Sequence, residues 1–338
     1  MKAVFMGSDP VALPLLEHLR ARAPAGVRIA AVYTQPDRPA GRGQQVQPNA
    51  IKRWALAAGI PVRQPPKCGA EEAEFLRAEE IELALVMAYG QILPKALLDA
   101  APHGFLNLHA SLLPRLRGAS PIPTAIARGL RQSGVTLMRI IPRLDAGPVA
   151  DAEPVTIAPC DTSRELGGKL ARACVPLLDR CLPRLAEGRL AFTPQDEAQA
   201  SFCRILEKSD AWLDFQAPAA ELAARVRAFQ PWPGTVFTWQ GQDIRILAAE
   251  AQPAGAATAA PGTLLDGAPG TLRIVCGAGV LSALMLQRPG GKPLAAADFL
   301  RGFPLQPGAL LESRAMRPLE GPVPFPWRRA RNSPAQHT

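Results

Sequence analysis

The 338-residue sequence has no apolar run long enough to span a bilayer, no Gly-x-Gly-x-x-Gly fingerprint and no Cys or His cluster at metal-ligand spacing. The first absence argues against a membrane helix. The second argues against a dinucleotide cofactor, since only the lone Gly7 follows the first strand-like run. The third excludes the common structural zinc patterns. Nothing at the start reads as a secretory signal, because Met1-Lys2 leads directly into Ala3-Val4-Phe5-Met6. The six cysteines are scattered at Cys68, Cys160, Cys174, Cys181, Cys203 and Cys276. Free thiols in this pattern point to a reducing compartment, so a cytoplasmic protein is expected. Cys174 and Cys181 are two helical turns apart on one face, which fits packing. Negative charge is in deficit: 38 Lys and Arg against 29 Asp and Glu give a formal net charge of +9. An excess of this sign favours an anionic partner such as nucleic acid or phosphate, although a generally Arg-rich composition would give the same balance. Hydrophobic content of 48% and charged content of 20% are those of a globular protein, and the length allows two cores.

The most informative stretch is 104–121. Phe105, Leu106, Leu108 and Ala110 are apolar, as in a buried strand of a parallel sheet. Asn107 and His109 interrupt that run two residues apart, so both project from the same face. Polar groups in such a place need partners or a task. Pro114, Gly118 and Pro121 then end the regular structure, and the C-terminal edge of an α/β sheet is where such folds place their sites. A hydrogen-bonded structural Asn and a satisfied buried His would also fit.

Strand-like and helix-like runs alternate through the first half. Lys2 to Met6 is followed by an amphipathic helix carrying Leu15, Leu16 and Leu19, and Val27 to Tyr33 is a second apolar strand. Ile81 to Tyr89 reads as a central strand, Val135 to Ile141 as another, and Val149 to Ile157 as an added hairpin arm. The spacing predicts a long helix over 161–187, with Thr162 as its cap. Alternation of this kind predicts an α/β fold with a Rossmann-like parallel sheet. Thr34 to Gln45 carries Arg38, Arg42, two prolines and two glycines without hydrophobic periodicity, and reads as an exposed loop. It is either a solvated connection or a contact to phosphate, which Arg binds in bidentate fashion. Asp145 follows a strand on the same sheet edge as His109. Its carboxylate either makes an Asx turn before Gly147 or orients and charges the histidine.

Beyond a polar, Pro-containing linker the pattern changes to short strands separated by Gly and Pro turns, which predicts a small antiparallel β-barrel. The division expected is 1–188 for the first domain, 189–203 for the linker, 204–315 for the second domain and 316–338 for a disordered Pro/Arg-rich tail.

Ordered words tie these pieces together: Asn107-Leu108-His109, Ser111-Leu112-Leu113-Pro114, Gly118, Pro121-Ile122, Gly134-Val135-Thr136-Leu137-Met138 and Leu144-Asp145-Ala146-Gly147. They resemble the folate-dependent formyltransferase family. The words Pro231-Trp232-Pro233-Gly234, Pro261-Gly262-Thr263, Leu286-Gln287-Arg288-Pro289-Gly290 and Asp298-Phe299-Leu300 resemble the OB-like C-terminal domain found in it. The resemblance implies catalysis by Asn107, His109 and Asp145. It implies a folate site lined by Ser111, Leu112, Leu113 and Pro114 and by the turn containing Ala88, Tyr89, Gly90 and Ile92. It further implies 10-formyltetrahydrofolate as formyl donor, no metal, and the amine of initiator methionyl-tRNA as acceptor, with Arg38 and Arg42 reaching the tRNA from their loop. A monomer is expected. A small amine such as an amino sugar remains an alternative acceptor, and a non-catalytic RNA-binding role is a third reading that the intact Asn107, His109 and Asp145 set opposes. Three positions depart from the family pattern: Leu116 in place of Trp or Tyr, Pro123 in place of Gln, and Ser8-Asp9-Pro10-Val11 in place of Thr-Pro-Asp-Phe.

Overall fold

The computed structural model describes residues 1–40, 45–253, 259–266 and 270–326. Its centre is a seven-stranded sheet built from β1 (Lys2–Met6), β2 (Arg28–Tyr33), β3 (Val62–Arg63), β4 (Leu83–Val86), β5 (Phe105–His109), β6 (Gln132–Arg139) and β7 (Val149–Thr156), in the order β7-β6-β5-β4-β1-β2-β3. Strands β3 to β5 along that order pair in parallel, as apolar runs linked by helices must. The last two do not. β6 pairs antiparallel with β5, and β7 antiparallel with β6, so the sheet is mixed rather than wholly parallel. The segment expected to be a hairpin arm is the edge strand of this sheet. The reversal has a local cause: the irregular 110–120 segment and the short helix Pro121–Ala127 turn the chain back along β5 instead of crossing over it.

Both faces of the sheet are covered. Leu106 and Leu108 join one core with Leu166, Leu170, Leu177 and Leu178 of the long helix Ser163–Ala186. Phe105 joins the other, with Met6, Tyr33 and Val86. The long helix begins as its sequence predicts. The Thr162 side chain accepts from Arg164 N at 3.2 Å and Glu165 Oε2 accepts from Thr162 N at 3.1 Å, a reciprocal capping box.

The second half forms a curled antiparallel sheet, with Gln242–Gln252 between Thr235–Trp239 and Val280–Gln287, and Leu272–Val275 beyond. Its own core gathers Phe215, Leu222, Ile244, Ile246, Ile274 and Leu286. The two halves are not merely tethered. Leu206, Phe229 and Leu319 lie in the core of the first half.

Two expectations about the connections are corrected. The 189–203 segment, expected to be a plain linker, is woven into the first half. Thr193 bridges Val149, and Phe202–Cys203 pairs in parallel with Arg117–Gly118. Residues 316–326, expected within a disordered tail, fold back: Glu320–Gly321 pairs antiparallel with Phe202–Cys203, and Leu319 is buried. Burial of Arg204 explains the second. Its guanidinium pairs with Asp210 at 2.7 and 2.6 Å, and its remaining Nε–H needs an acceptor, which is Pro318 O at 2.8 Å. The remainder of that tail, 327–338, lies outside the described residues. Among the described residues no helix is long and apolar enough to cross a membrane.

Candidate active site

The loops after β1, β4 and β5 leave from one edge of the sheet; β6 runs antiparallel and ends beside Leu106, so Asp145 does not follow a strand on the His109 edge as expected but is brought to His109 by the return of the 140–148 segment. Between β1 and β4 the strand order reverses direction, which opens a crevice at their C-terminal ends. Ser8 N donates to Ala88 O at 3.1 Å, closing one side of that crevice, and the Ser8 hydroxyl and Gln35 amide both donate to Tyr89 O. Ala88 and Gly90 adopt positive φ (51° and 79°) and are exposed, as is Ile92, whereas Tyr89 is buried with its hydroxyl 3.2 Å from Cys68 Sγ. The turn therefore presents Ala88, Gly90 and Ile92 outward and anchors itself through Tyr89.

Asn107 and His109 stand on one face of β5, as their spacing predicts. Asn107 is half-buried, and its amide has no hydrogen-bond partner among the described residues. His109 is almost fully buried. Its Nε2 lies 2.9 Å from Leu116 O, and its Nδ1 lies 3.7 Å from Asp145 Oδ2. A carbonyl can only accept, so Nε2 carries a proton and Nδ1 is the nitrogen free to gain or lose one. The carboxylate faces Nδ1 beyond direct hydrogen-bond reach, and its Oδ2 accepts from Gly118 N at 2.8 Å.

The loop after β5 is held by its own polar groups. Thr136 Oγ1 donates to Ser111 O at 2.7 Å and accepts from Leu113 N at 3.1 Å, and Ser111 Oγ donates to Arg115 O at 2.7 Å. The Ser111 hydroxyl is thus spent inside the loop, while Leu112, Leu113 and Pro114 remain half-exposed. Leu116 acts through its main chain. Its side chain packs with Ala125 and Cys203, so a leucine in place of an aromatic residue leaves the carbonyl that His109 uses in position.

The structure adds residues that their spacing in sequence did not reveal. Arg117 is fully buried. Its guanidinium donates to Gln195 Oε1 (3.0 and 2.8 Å) and to both Glu197 oxygens (3.0 and 2.9 Å). Gln195 Nε2 donates in turn to Asp145 O at 2.8 Å and Gly147 O at 2.7 Å. Glu197 also pairs with Arg143, and Arg117, its first cause, holds its carboxyl below the usual range. The only signal was an isolated polar cluster in a stretch of no periodicity.

Arg38 is joined to this edge through Gln35, whose Oε1 accepts from its guanidinium at 3.3 Å and whose amide donates to Tyr89 O. It begins a short hairpin, Arg38–Ala40 against Gln45–Gln47, where an irregular loop was expected. The hairpin's base is fixed, since Asp37 accepts from Lys52 (2.6 Å) and Gln64 (2.9 Å). Arg38 is exposed and Arg42 lies outside the described residues. The cysteines offer no nucleophile here. Burial pushes Cys174 and Cys203 up to about 12. Among the described residues no group of three or more His, Cys, Asp or Glu could hold a metal ion.

Residues 1–180 match the family model described as formyl transferase, and 205–304 match that of the formyl transferase C-terminal domain. The chain belongs to the formyl transferase family. The methionyl-tRNA formyltransferase of Burkholderia multivorans is 44% identical over 319 residues, covering 91% of this chain and 96% of that one. The protein of the same name from Methylococcus capsulatus is 44% identical over 306 residues, 90% and 98% of the two chains. Among solved structures, the N-formyltransferase of Helicobacter canadensis in complex with folinic acid and dTDP-3-aminofucose is similar at a TM-score of 0.63 and 19% identity, covering 86% of this chain and 100% of that one. HypX from Aquifex aeolicus in complex with tetrahydrofolic acid gives a TM-score of 0.57 at 15% identity, over 93% of this chain and about half (51%) of HypX. At these identities the two structures establish a shared formyl transferase fold.

Proposed function

We propose that this chain transfers the formyl group of 10-formyltetrahydrofolate to the free amine of initiator methionyl-tRNA. The observation that carries the reading is the meeting of Asn107 and His109 on one face of β5 with Asp145 beside the imidazole, in a chain that is 44% identical, over nine-tenths of its length, to relatives bearing that activity's name. The amine attacks the formyl carbon and a tetrahedral intermediate forms. The Asn107 amide, which has no side-chain hydrogen bond among the described residues, donates to the developing oxyanion. The attacking nitrogen must lose a proton, and the folate nitrogen must gain one as its bond to carbon breaks. His109 Nδ1 carries that proton, and Asp145 stabilises the imidazolium. The crevice edge formed by Leu112, Leu113, Pro114 and the Ala88–Ile92 turn holds the folate.

The test is formyl transfer from 10-formyltetrahydrofolate to charged initiator tRNA, beside free methionine and a nucleotide-linked amino sugar. Preference for the amino sugar would overturn the tRNA reading. Within it, Asp145→Asn should lower the rate and alter the pH–rate profile rather than mainly weaken folate binding. A large loss of folate affinity with an unchanged single-turnover rate would instead make Asp145 a binding residue.

Phosphate recognition predicts a salt series. Binding of tRNA should weaken steeply with salt, and Arg38→Ala and Arg42→Ala should each reduce the log–log slope by about 1 if each side chain neutralises one phosphate. Folate affinity should be unchanged in both. Point variants of the full chain suit this test better than removal of the second half, because Leu206, Phe229 and Leu319 complete the first core.

A further inference from the structure

Gln195 stands 50 residues from Asp145 in sequence and makes no hydrogen bond to Asn107 or His109 among the described residues, yet it joins the two loops that flank the histidine. One loop carries Asp145. The Gln195 amide donates to the carbonyls on either side of Ala146, those of Asp145 and Gly147. The other carries Leu116, whose carbonyl fixes Nε2 of His109. The next residue is Arg117, and both its Nε and Nη2 donate to the Gln195 carbonyl oxygen. Apart from a long contact of Nε2 with Met138 Sδ at 3.9 Å, the hydrogen bonds of one side-chain amide are thus directed at the two segments that face the two nitrogens of one imidazole. Glu197 repeats the arrangement at the rim, pairing with Arg117 on one loop and Arg143 on the other. Ser201 completes it: its hydroxyl accepts from Leu116 N at 3.0 Å and its carbonyl accepts from Arg117 N at 2.8 Å.

From this geometry we infer that Gln195, through Arg117, is a positioning residue that sets the distance and orientation of Asp145 against Nδ1 of His109. The inference rests on the reading that His109 carries the proton in formyl transfer. A separation of 3.7 Å leaves the Asp145–His109 attraction dependent on where two loops sit. The Asp145 loop is in no helix or ladder at that point, so side-chain bonds fix its place, against a partner segment anchored by the short ladder of Arg117–Gly118 with Phe202–Cys203. Misplacement of a catalytic group by about 1 Å can cost on the order of 10²-fold in rate. The other ionisable groups around the pair are Arg143 on the Asp145 loop, Arg117 beside Leu116, Glu197 from the connecting segment and Cys203 from the strand below. The Cys203 thiol stays neutral in the working range because burial raises it to about 12. Asp145 is therefore the anion nearest the ring, and its displacement changes the field at Nδ1 most.

Two variants of the full-length chain test this. Gln195→Leu keeps the volume and removes every hydrogen bond. Gln195→Glu keeps an acceptor for Arg117 but, when ionised, offers no donor to Asp145 O or Gly147 O, and guards against failure of the first to fold. For each, kcat, the folate and tRNA KM values, the pH–rate profile and the thermal midpoint are measured. The expected result is a fall in kcat of about tenfold to a hundredfold. Both KM values should stay within about threefold of wild type. In Gln195→Leu, which adds no charge, the limb of the pH–rate profile should change as it does in Asp145→Asn. Wild-type kcat and an unmoved limb in both variants would overturn the inference, as would a lowered thermal midpoint with kcat loss and an unmoved limb, which marks a merely structural bond. Absence of formyl transfer by the wild-type chain would instead overturn the functional reading on which it rests.

Discussion

His109→Ala should reduce formyl transfer by about a hundredfold or more in kcat while folate affinity changes little, the effect of losing a general acid/base. The size follows from the absence of a substitute. Asn107 cannot titrate, Asp145 is held by Gly118 N, and Cys203 is kept neutral by burial. The same substitution leaves Leu116 O with only the weak Cys203 thiol donor at 3.6 Å and opens a small void at the end of β5. That should cost about 1–3 kcal/mol of stability, so the variant is expected to fold with a lowered thermal midpoint. Single-turnover transfer and folate binding are measured on protein shown to be folded by circular dichroism. A folded variant that keeps most of its activity would remove His109 from the mechanism.

Gly147→Ala should be nearly as damaging, although residue 147 touches no substrate. A Cβ at this position would lie 1.7 Å from Arg139 O and 2.9 Å from its carbonyl carbon. Neither is a side-chain end that can swing away. Arg139 closes the ladder there, its N–H donating to Pro148 O at 3.0 Å, so the 145–148 segment must move instead. Its movement takes Asp145 away from Nδ1 of His109 and breaks the Gln195 bonds to Asp145 O and Gly147 O. The expected outcome is a loss of about 1–3 kcal/mol of stability from overpacking. With it should come a loss of transfer at least as large as that of Asp145→Asn, with the pH profile altered in the same way in both. Denaturant midpoints and pH–rate profiles of the two variants, taken side by side, check this. Wild-type stability and rate in Gly147→Ala would mean that the loop tolerates a side chain and that its close approach to Arg139 is not a constraint.

The glycine illustrates how the site is divided between sequence and structure. Asn107 and His109 were legible because β-strand alternation is a local rule. Two polar residues two apart in an apolar strand must share a face, whatever packs around them. The order of strands and helices, the Thr162 cap and the change to an antiparallel second half were legible for the same reason, since each depends on residues within a few positions. The family words carried Asp145 to the same site, which spacing alone could not do.

Only the tertiary structure decided the rest. The antiparallel return of β6 and β7 depends on how the irregular 110–120 segment turns, and no periodicity encodes that. The stretch around Gln195 has the composition of a linker because its polar side chains make their bonds across the molecule rather than along the chain. The fold-back of residues 316–326 depends on acceptors required by the buried Arg204, more than a hundred positions away. The sequence by itself determined the strands and which face of β5 is polar. Which nitrogen of His109 carries a proton was decided by a carbonyl seven residues on, brought back by a loop that Arg117, Gln195 and Ser201 hold in place. A histidine's tautomer and an aspartate's distance are set by partners distant in sequence, so only the folded chain fixes them.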